Sequence, residues 1–314
     1  MRRLLLSSAD EIAQEDLQFP AHGGANGIYD MIMALKWISD NILAFGGDHN
    51  RVTVFGSGLG GGLGVCSLVV SPWSGSLFDR AVISSGACNG PWGPWTQEDS
   101  ERNSEALMKH LDSIDLKQMR ALPAESLLCH QHDYGRPDAP MQCSIDYASD
   151  GWVIPSQPSE LYSKDGPTIE FDVMLGATTQ DTLAAPPWDL GKRPKTLTEL
   201  RTMLTNITKS AATTERIVKT YANRSSAAAW MQISSDVCSV CPTLWLADDI
   251  STSAHGGGPT PYLYQCERTP QRRSAWAVIV AATLSDRDRC CEQTSGRVPT
   301  AWRRTGRKCR RSLA

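Results

Sequence analysis

A strand followed by a tight glycine turn is the first feature of this sequence that could carry chemistry. Residues 51–67, RVTVFGSGLGGGLGVCS, predict a buried strand over Val52–Phe55, a turn at Gly56–Gly60 and then a helix. In a nucleophile elbow this geometry lifts one side chain above the sheet, where a substrate can reach it. Gly58 stands at the tip of the turn, so the turn has the shape of a nucleophilic site without the hydroxyl.

Two other segments resemble parts of such a site. Ser57 precedes the tip, but adjacent side chains on a sharp turn point in different directions, so we expect Ser57 to bond locally or to pack beneath the turn. His255–Gly258 has the letters of an oxyanion loop, yet it stands far after the elbow instead of before it. We interpret it as a flexible loop. No G-x-S-x-G occurs anywhere in the chain.

Metal-binding residue types occur in two places. Cys129, His130, His132 and Asp133 are close in sequence, and Cys238 and Cys241 form a lone C-x-x-C. A structural zinc site needs about four ligands at recurrent spacing, and neither group has a matching partner pair. The sequence therefore predicts an ordinary loop at the first place, no metal site and no cofactor.

The composition is that of a globular protein with a basic end. The chain has 314 residues, 41% hydrophobic and 21% charged, with a formal net charge of −3. Residues 271–314 contain eleven Lys or Arg and three Asp or Glu, about +8, which leaves about −11 for the rest. Such a tail is more often solvated and disordered than bound to nucleic acid, so we expect no nucleic-acid partner.

The ten cysteines favour an oxidising compartment. Two N-glycosylation triplets, Asn206-Ile-Thr208 and Asn223-Arg-Ser225, would suit a secreted chain. However, the start MRRLLLSS has too few apolar residues for a signal peptide. No apolar run approaches the roughly 20 residues that span a bilayer, so no membrane span is predicted.

The surrounding elements predict an α/β fold. Apolar residues at helical spacing predict a packed helix over 29–45 that includes Trp37 and Phe45. Further strands are predicted at 80–85, 171–177 and 262–266, with helices at 98–128, 197–203, 214–221 and 243–252. Strands without polar alternation are typical of a mostly parallel sheet covered on both faces. No regular structure is predicted after Pro270.

Several runs together resemble one family. They are GANGIYD (24–30), ALKW (34–37), FGGD (45–48), VTVFG (52–56), AVISSG (81–86), DGWVIP (150–155) and GATTQD (176–181). The pattern resembles the type B carboxylesterases, which include the cholinesterases and the neuroligins, over about residues 7–270. The resemblance implies an α/β-hydrolase fold and cleavage of carboxylic esters by a Ser, Glu and His triad.

The resemblance assigns positions to that triad. Gly58 occupies the nucleophile position, Asp181 the acid position, and the backbone N–H of Leu59 one oxyanion-hole position. In the family the catalytic histidine lies after the strand matched by residues 262–266. This sequence has no histidine after His255, so the catalytic histidine is absent. The family's other oxyanion donors precede the helix at 29–45, so the resemblance implies an N-terminally truncated domain over residues 1–270 and a basic, disordered tail over 271–314.

Three functional hypotheses follow. The first is a catalytically silent carboxylesterase-like domain in binding or adhesion, because the F-G-S-G-x-G elbow resembles that of the neuroligins. Its partner would be a protein or a small ester ligand, and the resemblance implies a secreted or cell-surface location. The alternative is a genuine carboxylic ester hydrolase represented by an incomplete gene model. The third is a degenerate product that does not fold.

Overall fold

The computed structural model describes residues 24–90, 93–112, 115–123, 147–162, 172–181, 193–253, 261–267 and 277–281. The elements, in chain order, are α1 (Asn26–Asn41), a 3-10 turn (Ile42–Phe45), β1 (Thr53–Ser57), α2 (Gly58–Val70), β2 (Arg80–Ser84), α3 (Gln97–His110), α4 (Leu116–Ala121), α5 (Pro158–Leu161), β3 (Asp172–Thr178), α6 (Leu197–Thr208), α7 (Ala211–Thr220), α8 (Ser226–Ser235), a π-helical turn (Asp236–Val240), α9 (Cys241–Ser253), β4 (Tyr262–Glu267) and β5 (Ala277–Ala281).

The described strands form one sheet in the order β1-β2-β3-β4-β5. The first four strands are parallel, and β5 pairs with β4 in the antiparallel direction. One register row crosses the parallel part and contains Ser57, Ser84, Gly176 and Tyr264. The predicted, mostly parallel sheet is therefore confirmed. The row contains the last residues of β1 and β2, whereas β3 and β4 continue to Thr178 and Glu267.

Strand β1 is more exposed than the buried strand that the sequence predicts. Phe55 is 81% exposed, and Thr53 and Ser57 are also exposed. Among the described residues β1 pairs with β2 alone and forms the edge of the sheet. An apolar run can therefore lie at an edge, where only one side of the strand is covered by a neighbour.

Helix α1 buries one stripe of side chains against the main core. Ile28, Ile32 and Leu35 are buried at helical spacing. The prediction that Trp37 and Phe45 pack in the core is wrong, because these residues are 55% and 70% exposed. Their rings instead lie against each other at the surface, with centroids 6.0 Å apart.

A second hydrophobic cluster joins helices α6, α7 and α8. Its buried residues include Leu204 from α6, Val218 from α7 and Trp230 from α8. Helix α8 was not predicted from the sequence. Nearly all of its second half is buried, including Ser234 and Ser235, so the helix has no polar face and lacks the periodic contrast on which such predictions depend.

Strand β5 lies in the segment after Pro270, for which no regular structure was predicted. Five residues of that segment, Ala277–Ala281, pair with β4. Their run AVIVA is apolar and rich in β-branched residues, as strands are. The division of the chain into residues 1–270 and a tail over 271–314 stays a prediction.

A disulfide joins Cys66 of α2 to Cys88, which follows β2. Both residues are almost fully buried. The Cys66 carbonyl also accepts a hydrogen bond from the buried hydroxyl of Tyr162 at 2.9 Å. The covalent link therefore fixes α2 to the loop after β2, within the core below the elbow.

Candidate functional site

The elbow has the backbone geometry that the sequence predicts. Strand β1 ends at Ser57 and helix α2 starts directly at Gly58, which has a φ of +68°. This left-handed region is costly for residues with a Cβ and accessible to glycine. A Cβ added at Gly58 would have no other heavy atom within 4 Å. The tip is therefore spatially open, although it carries no reactive atom.

Close backbone contacts hold this turn in place. A Cβ at Gly56 would lie 2.2 Å from the Gly61 carbonyl oxygen. A Cβ at Gly62 would lie 2.8 Å from the Ser84 carbonyl oxygen and 2.9 Å from the Gly86 Cα. These glycines let the start of α2 lie directly against β1 and the end of β2. Their role is steric, since any side chain would separate the helix from the sheet.

The two neighbours of Gly58 differ in what they offer. Ser57 is exposed, and its side chain makes no cap hydrogen bond to α2. Of the two expectations for Ser57, packing beneath the turn is therefore wrong, and local bonding of its hydroxyl stays a prediction. Leu59 lies in the first turn of α2, where backbone N–H groups have no acceptor within the helix. The oxyanion position of its N–H stays a prediction.

The predicted acid, Asp181, lies three residues after the last residue of β3, Thr178, and is held by two hydroxyl groups. The Thr178 hydroxyl donates to one carboxylate oxygen at 2.7 Å, and the Ser239 hydroxyl donates to the other. Gln232 of α8 supports the same loop, because its side-chain amide donates to the Thr179 carbonyl at 2.9 Å. Within the described residues the carboxylate is oriented by hydroxyls and not by an imidazole.

Tyr264 of β4, which was not predicted as a site residue, lies in the same register row as Ser84 and Gly176. The ring of Tyr264 lies over Gly176, where an added Cβ would come within 2.3 Å of it. Its hydroxyl forms a short hydrogen bond with that of Ser84. Burial raises the pKa of Tyr264, the hydrogen bond with Ser84 opposes that rise, and the charges of Cys266 and Asp181 add to it. The absence of a side chain at Gly176 thus allows a contact that spans three strands.

Cys266 of β4 carries a thiol, and the surroundings of this thiol do not activate it. Burial raises its pKa, and the negative charge of Asp181 raises it further. A nucleophilic cysteine needs the opposite change, because the thiolate is the reactive form. Cys266 is therefore not a candidate nucleophile.

The DGWVIP run is explained by local structure. One carboxylate oxygen of Asp150 accepts hydrogen bonds from the backbone N–H groups of Trp152, Val153 and Ile154, at 3.1, 2.8 and 3.0 Å. Burial raises the pKa of Asp150, and these backbone bonds counteract the rise. The turn positions Trp152, whose ring lies against those of Tyr29 and Trp73. Asp150 is therefore an organiser of the fold.

The remaining sequence candidates are the oxyanion-like loop and the two groups of metal-binding residue types. His255–Gly258 and the cluster Cys129–Asp133 lie outside the described residues. Cys238 is engaged in a disulfide, so the C-x-x-C is not an available ligand pair. Among the described residues no group of three or more His, Cys, Asp or Glu side chains is placed to hold a metal ion. No helix of that part is long and apolar enough to cross a bilayer.

Comparisons with known proteins agree with this geometry. The model of the carboxylesterase family matches residues 20–289. The chain is 32% identical to neuroligin-3 of Mus musculus over 184 residues, which are 57% of this chain and 20% of that protein. It is 28% identical to acetylcholinesterase of Leptinotarsa decemlineata over 169 residues, 49% of this chain and 25% of that protein.

A third relative has a similar degree of likeness. Human carboxylesterase 3 is 31% identical over 166 residues, which cover 50% of this chain and 27% of that protein. The chain thus spans about a fifth to a quarter of the length of these relatives. The parallel sheet, its elbow and a family match over most of the chain lead to the same conclusion: the fold is that of an α/β-hydrolase, and the chain belongs to the carboxylesterase family.

Proposed function

We propose that this domain is a pseudoenzyme, a catalytically silent member of the carboxylesterase family that acts in binding. The observation that carries the proposal is the open elbow tip at Gly58, whose backbone is left-handed and whose position has no hydroxyl. Loss of the nucleophile from a serine hydrolase triad lowers turnover by a factor on the order of 10⁶. A substitution of this kind removes the chemistry and leaves the frame intact.

The backbone of the elbow also favours glycine at position 58, because φ is positive there. Residues other than glycine in the left-handed region cost on the order of 1–3 kcal/mol, and active sites retain them for their function. Gly58 avoids that cost. In this proposal Asp181 and the Leu59 N–H are remnants of the acid and oxyanion positions, and Asp181 now serves the packing of β3 against the π-helical turn.

The proposed ligand is a protein, in a role of the adhesion type. The likeness to neuroligin-3 over 57% of the chain supports this choice, and so does the F-G-S-G-x-G elbow. A small ester that occupies the open tip without being cleaved is the other kind of ligand to test. Binding of either kind requires no nucleophile.

An esterase assay tests the proposal directly. Hydrolysis of p-nitrophenyl butyrate by the purified chain is expected to equal that of the buffer and of the Ser57→Ala variant, which removes the hydroxyl next to the tip. Saturable turnover that an active-serine reagent abolishes would overturn the proposal. If that turnover disappears in Ser57→Ala, the nucleophile is Ser57.

The retained acid at Asp181 favours a second candidate, a genuine carboxylic ester hydrolase represented by an incomplete gene model. A carboxylate that orients an imidazole keeps its use only when the rest of the triad exists. Sequencing of full-length transcripts distinguishes the two candidates. A transcript that encodes serine at position 58 and a histidine after β4 would support the hydrolase, and one with glycine at 58 would exclude it.

A further inference from the structure

Two triplets of the type Asn-x-Ser/Thr occur in the described part of the chain, and the fold treats them differently. Asn206-Ile-Thr208 lies inside α6, at its last residues. Asn223-Arg-Ser225 lies in the turn between α7 and α8. Acceptor triplets of this type belong to surface loops of proteins that pass through the secretory pathway. The structure therefore separates the two by their backbone setting.

The Asn223 triplet is accessible along its whole length. Residues 222–225 are all exposed. The turn is closed by a hydrogen bond from the Arg224 N–H to the Tyr221 carbonyl at 3.1 Å. The first residue of the turn, Tyr221, is anchored by its hydroxyl, which donates to the Asp236 carboxylate at 2.5 Å. Asn223 thus projects from a well-anchored turn into solvent.

The hydroxyl of this triplet is also available. Ser225 is the N-cap of α8, and its oxygen accepts from the Ala228 N–H at 3.4 Å. An N-cap uses the hydroxyl as an acceptor and leaves its proton unused. The backbone of Ser225 is extended, with φ −61° and ψ 155°, so the triplet ends before the helix starts.

The Asn206 triplet is engaged in helix packing. The Thr208 hydroxyl donates to the Ser210 carbonyl at 3.1 Å and accepts from the Ser210 N–H at 3.3 Å. It also lies 3.1 Å from the hydroxyl of Thr214 in α7. A helical backbone with its threonine committed to the α6–α7 contact does not offer the loop that the triplet needs.

The disulfides supply an independent observation about the compartment. Cys66 and Cys88 are bonded in the core, and Cys238 is also disulfide-bonded. Disulfides of this kind persist in oxidising compartments such as the lumen of the endoplasmic reticulum. The same compartment holds the machinery for N-linked glycan transfer.

From these observations we infer that Asn223, and not Asn206, is an N-glycosylation site. The co-substrate is an oligosaccharide linked to a polyprenyl diphosphate. The side-chain nitrogen of Asn223 attacks the anomeric carbon, so that a C–N bond forms and the bond from that carbon to the diphosphate oxygen breaks. The lipid diphosphate leaves with the electron pair, and the amide loses one proton to a base of the transferase. No oxidant or reductant is needed.

Expression of the full chain behind an exogenous signal sequence in animal cells tests the inference. Retained and secreted protein are both analysed, because glycan transfer precedes export. We expect one step in gel mobility that peptide-N-glycosidase F removes, and conversion of Asn223 to Asp in the released peptide. Asn223→Gln is expected to lose the step, and the matched Asn206→Gln is expected to keep it.

Two variants at Ser225 separate glycan transfer from folding. Ser225→Asp keeps a good N-cap for α8 but destroys the triplet, so the step should disappear while the far-ultraviolet spectrum is unchanged. Ser225→Thr keeps both the cap and the triplet, so the step should remain. An unglycosylated wild type, a step that survives Asn223→Gln, or a second glycan at Asn206 would each overturn the inference. None of these outcomes depends on esterase activity or on a partner.

Discussion

The hydroxyl of Ser239 donates a hydrogen bond to the carboxylate of Asp181, across 58 residues of sequence. Ser239 is 4% exposed and lies in the π-helical turn before α9. This bond and the one from Thr178 hold the predicted acid in a fixed orientation. The two bonds connect the loop after β3 to the π-helical turn, and their contribution to stability can be measured.

Removal of the Ser239 hydroxyl should destabilise the fold. A hydrogen bond to a charged group contributes about 1.5–3 kcal/mol. Ser239→Ala is therefore expected to lower the free energy of unfolding by about 2 kcal/mol in urea titrations followed by circular dichroism. The exposed Thr198→Ala on α6 is the control, with a change within about 0.5 kcal/mol. Equal stability of the two variants would show that the bond contributes nothing.

The same substitution at two elbow glycines should have different costs. Gly58→Ala meets no atom but must adopt a positive φ, which costs about 1–2 kcal/mol. Gly56→Ala places its Cβ 2.2 Å from a backbone oxygen of α2, and backbone cannot rotate away. We expect Gly56→Ala to lose more than about 3 kcal/mol or to fail to fold. A larger loss for Gly58→Ala in the same urea titration would contradict the proposed origin of both effects.

The contact of Tyr264 with Gly176 can be examined by a double-mutant cycle. Gly176→Ala brings a methyl group into the ring of Tyr264 and should destabilise the protein by about 1–3 kcal/mol. In a Tyr264→Ala background the ring is gone, so the added methyl group should cost less. We expect a coupling energy of at least about 1 kcal/mol between the two positions. Additive effects would mean that the ring does not lie over Gly176.

The half-buried Asp249 should make stability depend on pH. Burial raises the pKa of Asp249 to about 6, the hydrogen bond from Asn89 opposes the rise, and the charge of Asp248 adds to it. Between the ordinary value of 3.8 and about 6 the folded state binds more protons than the unfolded state. Stability from this group is therefore present below pH 4 and is lost as the pH rises through 6.

The variant Asp249→Asn measures that loss. The amide cannot ionise, so at pH 7.5 the variant should be more stable than the wild type, by about 1 kcal/mol after allowance for solvent screening of a partly exposed group. The advantage should vanish near pH 4. Urea titrations at both pH values measure it, with the exposed Asp40→Asn as a carboxylate-to-amide control. An advantage that is the same at both pH values would contradict the assignment.

The fold could be predicted from the sequence to a large extent. The strands at β1, β2, β3 and β4 were found as apolar runs, and the elbow was found from its glycines and the strand before them. Helix α8 was missed because it is buried on most sides, and β5 because it lies in a basic segment. The exposure of Phe55 could not be predicted, since hydrophobicity does not distinguish an edge strand from a central one.

What the sequence by itself determined is the frame and the residue at its tip. Glycine at position 58, a carboxylate at 181 and a parallel sheet are local properties, encoded by residue type and by periodicity over a few residues. The tertiary structure alone decided that Ser239 holds Asp181 and that Tyr264 crosses Gly176 to reach Ser84. Those contacts join residues 58 and 180 positions apart. They depend on strand register and helix packing, which local patterns do not encode because the whole core sets them together.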